Sequence, residues 1–316
     1  MKRLTALLLC LVLILGLSAC AAKADSKISF ATGGTSGTYY GFCGVISQVL
    51  NEKLKDKMNL TIESTGASLA NMQLIETNQA GLAIVQNDVM DYAYNGTSLF
   101  KAPITNFGAV MSCYPEAVQI VAKTNITSVA DLKGKVVSVG VADSGTRFNA
   151  EQILGAYDIK FEDCTINYQS FADSVDSIKN GTIDAAFIVA GAPTTAITEL
   201  STTHDFNILT IDDEHIAKLK EQYGFYTEAV VPAGTYSNIK EDIKTVAVMA
   251  TIIASDKLSE ETVYNFLKGL FDNKEEITNG HAKGALIDAD TAISGISVPF
   301  HPGALKYFNE IGKKVG

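Results

Sequence analysis

Two short turns, Ser36-Gly37-Thr38 and Ser144-Gly145-Thr146, stand 108 residues apart, each between a strand pattern and a helix pattern. A second echo lies at nearly the same offset. Glu76-Thr77-Asn78-Gln79-Ala80-Gly81-Leu82-Ala83-Ile84-Val85 is matched 103 residues later by Lys179-Asn180-Gly181-Thr182-Ile183-Asp184-Ala185-Ala186-Phe187-Ile188. Each member reads as a helix end, a polar turn and an apolar strand. Two echoes at nearly one spacing point to two similar lobes. At 316 residues the chain is long enough for about two domains of roughly 150 residues.

Between the echoes, strand and helix alternate. Lys27–Ala31 reads as a strand, then a Gly-rich turn. Val45, Ile46, Val49, Leu50 and Leu54 follow at helical spacing. Leu60–Glu63 is a second strand, and residues 64–68 can cap a helix from Leu69 to Asn78. Gly81–Gln86 is apolar enough for a strand buried on both faces of a parallel sheet. A short helix over Asn87–Tyr94 and strands over Phe107–Met111 and Ala117–Ala122 follow. The order then restarts. A capped turn at residues 128–132 precedes a strand over Lys135–Val141 and helices over Arg147–Tyr157 and Phe171–Asn180. A buried strand over Asp184–Val189 ends this stretch. Repeated βαβ units of this kind specify an α/β fold.

The N-terminus sets the compartment. Met1-Lys2-Arg3, the apolar run Leu4–Leu17 and Leu17-Ser18-Ala19-Cys20 form a secretory signal that ends in a lipobox-like site. The apolar run is shorter than the ~20 residues of a spanning helix. Cleavage before Cys20 would remove residues 1–19 and leave Cys20 as the lipidated first residue of a tether, 20–26. Of the remaining cysteines, Cys43, Cys113 and Cys164 have no CxxC spacing, so a thiolate metal or redox site is not indicated. They read most simply as buried apolar residues, with a Cys43–Cys113 bridge left open.

The formal charge of -10 excludes the basic footprint of a nucleic-acid binder. No Walker A follows the Gly-rich turn, and the Ser in Gly33-Gly34-Thr35-Ser36-Gly37 is not placed as in a nucleophile elbow. His204, His215, His281 and His301 are scattered and show no metal-ligand spacing. Neither an enzyme nor a cofactor is expected.

The turns themselves suggest ligand chemistry. A helix N-terminus offers unpaired N–H groups and partial positive charge, and Gly, Ser and Thr allow close approach and add donors. The turns at 33–38 and 144–146 are candidate anion cradles, although the same residues also serve simply as caps. Arg147 would offer a fork of donors to a carboxylate, or else pair with Asp143 or Glu151. One of Tyr39 and Tyr40 would face a ligand. Gln86-Asn87-Asp88 would reach the cleft or cap the next helix.

The residues also resemble a known family. Phe30-Ala31-Thr32-Gly33-Gly34-Thr35-Ser36-Gly37-Thr38-Tyr39-Tyr40 is similar to the signature of the TAXI family, the extracytoplasmic receptors of tripartite ATP-independent periplasmic (TRAP) transporters. Further matches are residues 64–68 with Asn71, Leu82–Asp88, Tyr114-Pro115-Glu116, Asp131–Lys135, Ser144–Arg147, Pro232–Tyr236 and His301-Pro302-Gly303-Ala304. They span nearly the whole mature chain.

The resemblance implies a two-lobed, periplasmic-binding-protein-like clamshell of type II with mixed, mostly parallel sheets. Lobe I would comprise residues 27–115 and 232–316, and lobe II residues 116–231. It implies capture of a small organic anion, a glutamate-like amino acid or a dicarboxylate. The receptor would sit at the outer face of the cytoplasmic membrane and deliver its ligand to an ion-gradient-driven TRAP permease with fused subunits. A monomer is the simplest expectation. Ligand contacts carry over to Gly34, Thr35, Tyr39, Asn71, Gln86, Ser144, Thr146 and Arg147, and Ser68, Gly145 and Gly191 complete the set. Gly41-Phe42-Cys43-Gly44 departs from the Pro-containing stretch of the family, which puts the aromatic wall of the pocket in question. His301 reads as packing. The rival readings are a binding protein of an ATP-driven importer for a sulfonate, nitrate or vitamin precursor, and a ligand-sensing or enzymatic lipoprotein.

Overall fold

A computed structural model describes residues 27–98 and 100–315. The signal, Cys20 and the tether at 20–26 lie outside the described residues.

The strands are β1 (Ile28–Ala31), β2 (Leu60–Glu63), β3 (Leu82–Gln86), β4 (Phe107–Ala122), β5 (Val136–Ser138), β6 (Thr165–Asn167), β7 (Ala185–Ala190), β8 (Asn207–Leu209), β9 (Thr227–Val231) and β10 (Ile243–Ser255). They run in the order β2-β1-β3-β10-β4-β7-β5-β6, with β8 beside β4 and β9 beside β10. Three strands at each end are parallel, β2-β1-β3 and β7-β5-β6. The long strands β4 and β10 lie antiparallel to each other and to their neighbours, and they thread both halves. All residues of β3 and β7 are buried, as strands covered on both faces require.

The helices that matter for the site are α1 (Thr38–Lys53), α2 (Ser68–Glu76), α3 (Asn87–Asn95), α4 (Gly145–Ala156) and α5 (Phe171–Lys179). Each starts directly after a strand or a short polar turn. Along α1, the helical spacing seen in the sequence buries Ile46, Val49 and Leu50 against the sheet. Each fully buried side chain of this kind contributes about 1.5–3 kcal/mol.

The core divides the molecule into two lobes. Residues up to Tyr114 and from Ala250 onward pack in one pair of clusters, on alternate faces of the first half-sheet, with Phe148 reaching across from α4. Residues from Ala117 to Val248 form the other pair. The chain therefore changes core between Tyr114 and Ala117, inside β4, and again between Val248 and Ala250, inside β10. This second change comes later than the expected boundary at 231/232. Tyr236, Ile239, Val246 and Val248 pack with the middle of the chain, because β10 enters that half-sheet beside β9 before it crosses.

Phe107–Met111 and Ala117–Ala122, two strands by pattern, are one continuous strand. The polar and Pro-containing stretch between them broke the apolar run without breaking the backbone. Pro115 stands opposite Met249 at the crossing, and register shifts follow at Ala250/Thr251 and Ile252/Ile253. Cys43, Cys113 and Cys164 are free thiols. His301 is buried as packing: it caps the last helix by accepting from Gly303 N, and its Nε2 lies 3.2 Å from Leu258 O.

Candidate functional site

A pocket, partly open to solvent, lies between the lobes. Five helices begin at its wall. Their N-cap residues, Gly37, Ala67, Gln86, Ser144 and Ser170, all line it. Gly37, Ala67 and Gln86 supply no side-chain cap, so the first N–H groups of α1 and α2 have no side-chain acceptor at the N-cap. Ser144 accepts from Arg147 N at 3.3 Å, and Ser170 from Asp173 N at 3.2 Å. The hydroxyls of Ser36, Thr38, Thr65, Ser68 and Thr146 belong to the same wall. Converging helix N-termini give a dense set of oriented donors with partial positive charge, suited to an anionic group.

Local chemistry sets these ends. Gly37 closes the first turn through its N–H to Gly34 O at 3.0 Å, and a Cβ on Gly34 would meet open space. Thr65 Oγ1 accepts from Ala67 N at 3.0 Å and donates to Asn71 Oδ1 at 2.6 Å. This holds Ala67 at φ 71°, a backbone region that non-glycine residues rarely occupy and that is tolerated where a functional loop demands it. Ser68 Oγ accepts from Gln86 N at 3.1 Å, tying the start of α2 to the end of β3.

The floor is formed by Glu116, Gln86 and Tyr39. Glu116 is 2% exposed, and Tyr39 Oη donates to its Oε1 at 2.5 Å. Burial pushes the Glu116 carboxyl from its usual 4.5 up to about 8, while Tyr39 and Gln86 favour its charged form. Asp88, in the first turn of α3, is raised by burial to about 6.

The lobes are closed over this space. Thr38 Oγ1 donates to Gly191 O at 2.9 Å, and Lys283 Nζ to Ala192 O at 2.7 Å. Asn149 Nδ2 donates to Asp88 Oδ2 and to Tyr226 Oη, both at 3.0 Å.

Of the residues expected from sequence, the structure brings Gly34, Tyr39, Ser68, Gln86, Ser144, Gly145 and Thr146 together on the pocket wall. Four others lie elsewhere. Thr35 is exposed, off the wall. Asn71 is fully buried and clasps backbone, donating to Thr32 O at 2.6 Å and Ile84 O at 2.7 Å. Gly191 packs behind the pocket, where a Cβ would stand 2.6 Å from Lys283 Cε. Arg147 points along α4 toward Glu151, 3.4 Å away, with its guanidinium 6.0 Å from the Phe148 ring and 5.8 Å from the Phe161 ring. Residues four apart share a helix face, and that geometry turns the side chain to the flank.

Glu116, Gln169, Ser170 and Phe171 line the pocket and were not among the expected ligand contacts, although Glu116 stood in the Tyr114-Pro115-Glu116 match. A signal for Glu116 existed, since it is the one charge among the 16 residues of β4. For Ser170 the signal was its place just before a helix pattern.

A family model matches residues 30–312. The chain belongs to the NMT1-like family. Among solved structures, this NMT1-like chain is similar to one described as a periplasmic transporter, with TM-score 0.55 and 13% identity over 83% of this chain and 88% of that one. It is similar to a protein from Bordetella bronchiseptica RB50, with TM-score 0.53 and 15% identity over 90% and 89%. A third match is PhnD1 from Prochlorococcus marinus MIT 9301 in complex with methylphosphonate, with TM-score 0.50 and 10% identity over 92% and 91%. The NMT1-like chain thus shares the mixed α/β fold of these structures. Among its described residues, no helix is long and apolar enough to cross a membrane.

Proposed function

We propose that the chain is an extracytoplasmic solute receptor that captures a small organic anion, a glutamate-like amino acid or a dicarboxylate, between its lobes. It hands that ligand to an ion-gradient-driven TRAP permease and is held at the outer face of the cytoplasmic membrane through a lipid on Cys20. The convergence of five helix N-termini on one interlobe pocket carries this reading. Oriented N–H groups suit a carboxylate and leave no side-chain cation to neutralise. The contacts are Gly34, Tyr39, Ser68, Gln86, Ser144, Gly145 and Thr146, now joined by Glu116. Delivery to TRAP rests on the resemblance of residues 30–40 and 144–147 to the TAXI motifs.

The same cradle would accept a sulfonate or phosphonate, the ligand class of an ATP-driven importer. Thermal unfolding with amino acids, dicarboxylates, keto acids and sulfonates separates the two. A ligand at 100 times its Kd stabilises the folded state by about 2.7 kcal/mol. Carboxylates are expected to raise the melting temperature, and Arg147→Ala to keep that rise, since Arg147 lies outside the wall. A rise with sulfonates alone would replace the carboxylate reading with the importer reading.

A further inference from the structure

The lobes also meet at a polar cluster whose residues are not on the pocket wall. Asp88 enters it from α3 in the first lobe and is 1% exposed. Asn149 of α4 covers it from the other lobe and is itself fully buried. Its Nδ2 donates to Asp88 Oδ2 and to Tyr226 Oη, both at 3.0 Å. Tyr226 Oη donates to Gln152 Oε1 at 2.7 Å, and Gln152 Nε2 donates to Tyr92 Oη at 3.0 Å. The line of bonds thus leaves α3 at Asp88 and returns to it at Tyr92, one turn along the same face. When the lobes part, Asp88 and Tyr92 go with one, and Asn149, Gln152 and Tyr226 with the other. Both crossings exist only in the closed form.

The cluster brings no cation to its carboxyl. Asp88 Oδ1 accepts from Val89 N at 2.9 Å and Oδ2 from Asn149, and both donors are neutral. The titratable groups that face it are Asp91 and Tyr92 on α3, Glu116 on β4, and Tyr226 just before β9. Of the other elements against α3, β3 has no titratable residue, α2 has only Glu76 at its far end, and β10 has only Lys244, 2.6 Å from Asp213. Arg147, on α4 with Asn149, is turned to Glu151. A carboxylate shut off from water among neutral donors loses hydration that no positive charge replaces, and its acid form loses far less. One more atom suits the acid form. Asn149 Oδ1 is buried without a hydrogen-bond partner among the described residues, and the amide turned end for end would offer it to an Asp88 O–H. We propose that Asp88 is a proton-binding site of the closed form, covered by Asn149, so that the lobes close by taking up a proton there. In the open form water reaches the carboxyl, which titrates near the usual 3.8, whereas in the closed form burial raises it to about 6. The closed form holds the proton more tightly, so acid favours closure. That gain is complete below pH 4 and is lost as pH rises through 6, which makes the closed-to-open ratio about tenfold higher at pH 5 than at pH 7. A ligand held only by the closed form inherits the same dependence.

The test is small-angle scattering of the purified, ligand-free chain at pH 5 and pH 7. The wild type should have the smaller radius of gyration at pH 5. Asp88→Asn, neutral at both, should keep the smaller radius at both. Asn149→Asp sets two carboxyls against each other across the gap, where both cannot readily ionise. It should be more open than the wild type at pH 7 and contract more steeply in acid, which brings the equilibrium into range even where the wild type is closed throughout. Equal radii at the two pH values in both the wild type and Asn149→Asp would overturn the inference. So would an Asp88→Asn chain that contracts in acid as the wild type does. Should Asp88→Asn fail to fold, the wild type and Asn149→Asp still decide. None of these outcomes depends on a ligand, so the receptor reading stands or falls separately.

Discussion

Two buried carboxyls make the molecule sensitive to pH. Glu116 titrates near 8 rather than 4.5, and Asp88 near 6 rather than 3.8, each because burial disfavours its charge. The folded chain keeps these protons at pH values where the unfolded chain has lost them. The stability that these two carboxyls contribute is therefore fullest below pH 4 and falls as pH rises, first through the Asp88 window and then up to about pH 8 through that of Glu116. Each retained proton contributes a slope of about 1.4 kcal/mol per pH unit. Denaturant unfolding of the empty protein should show this decline between pH 6 and 8, and Glu116→Gln should flatten it. A variant with the wild-type slope would mean that Glu116 titrates like an exposed acid. At the same scale, Arg147 follows the Ser144-Gly145-Thr146 turn, and its guanidinium lies 3.4 Å from Glu151 on the same helix.

At the scale of elements, the start of α4 meets the end of β3 with no space to spare. A Cβ on Gly145 would lie 1.8 Å from Gln86 Oε1 and 2.4 Å from Gln86 Cδ. Gln86 is 2% exposed, so for the lobes to close over an alanine its side-chain amide would have to turn away from this position. Gly145→Ala is expected to wedge the lobes apart and weaken ligand binding by about tenfold or more, because the closed form becomes a smaller share of the population. Titration of the best ligand checks this. Unchanged affinity would show that the Gln86 side chain yields freely. The long strands are the other decisive elements. β4 and β10 carry the chain between lobes as continuous strands, so the crossings are bends within a ladder rather than loops.

For the whole molecule, the closed arrangement rests on contacts across the gap, among them Gln152 Nε2 to Tyr92 Oη at 3.0 Å and the Tyr92–Phe148 stack. Thr38–Gly191, Asn149–Asp88 and Lys283–Ala192 span the lobes, together with backbone bonds such as Ala70 N to Asp143 O at 3.2 Å. A ligand seated on helix ends from both lobes adds contacts present only in the closed form, and so shifts the population toward it. Small-angle scattering should give a smaller radius of gyration with ligand than without. Identical curves in the presence of a tightly bound ligand would remove clamshell closure from the mechanism.

The sequence alone determined whatever depends on near neighbours. Apolar strands such as 82–86 and 185–190, the polar turns before helices, and the capping Ser144 were legible because strand burial, helix phase and caps are set within a few residues. The repetition of those signals pointed to two lobes. Tertiary structure decided what lies across the gap between distant segments. It buried Glu116 beneath Tyr39, 77 residues away in sequence, and set Gly145 against Gln86. It turned Asn71 into a backbone clasp and kept residues 232–248 with the middle lobe. A carboxyl acquires its protonation state, and a glycine its necessity, from atoms that arrive only when the chain has closed on itself.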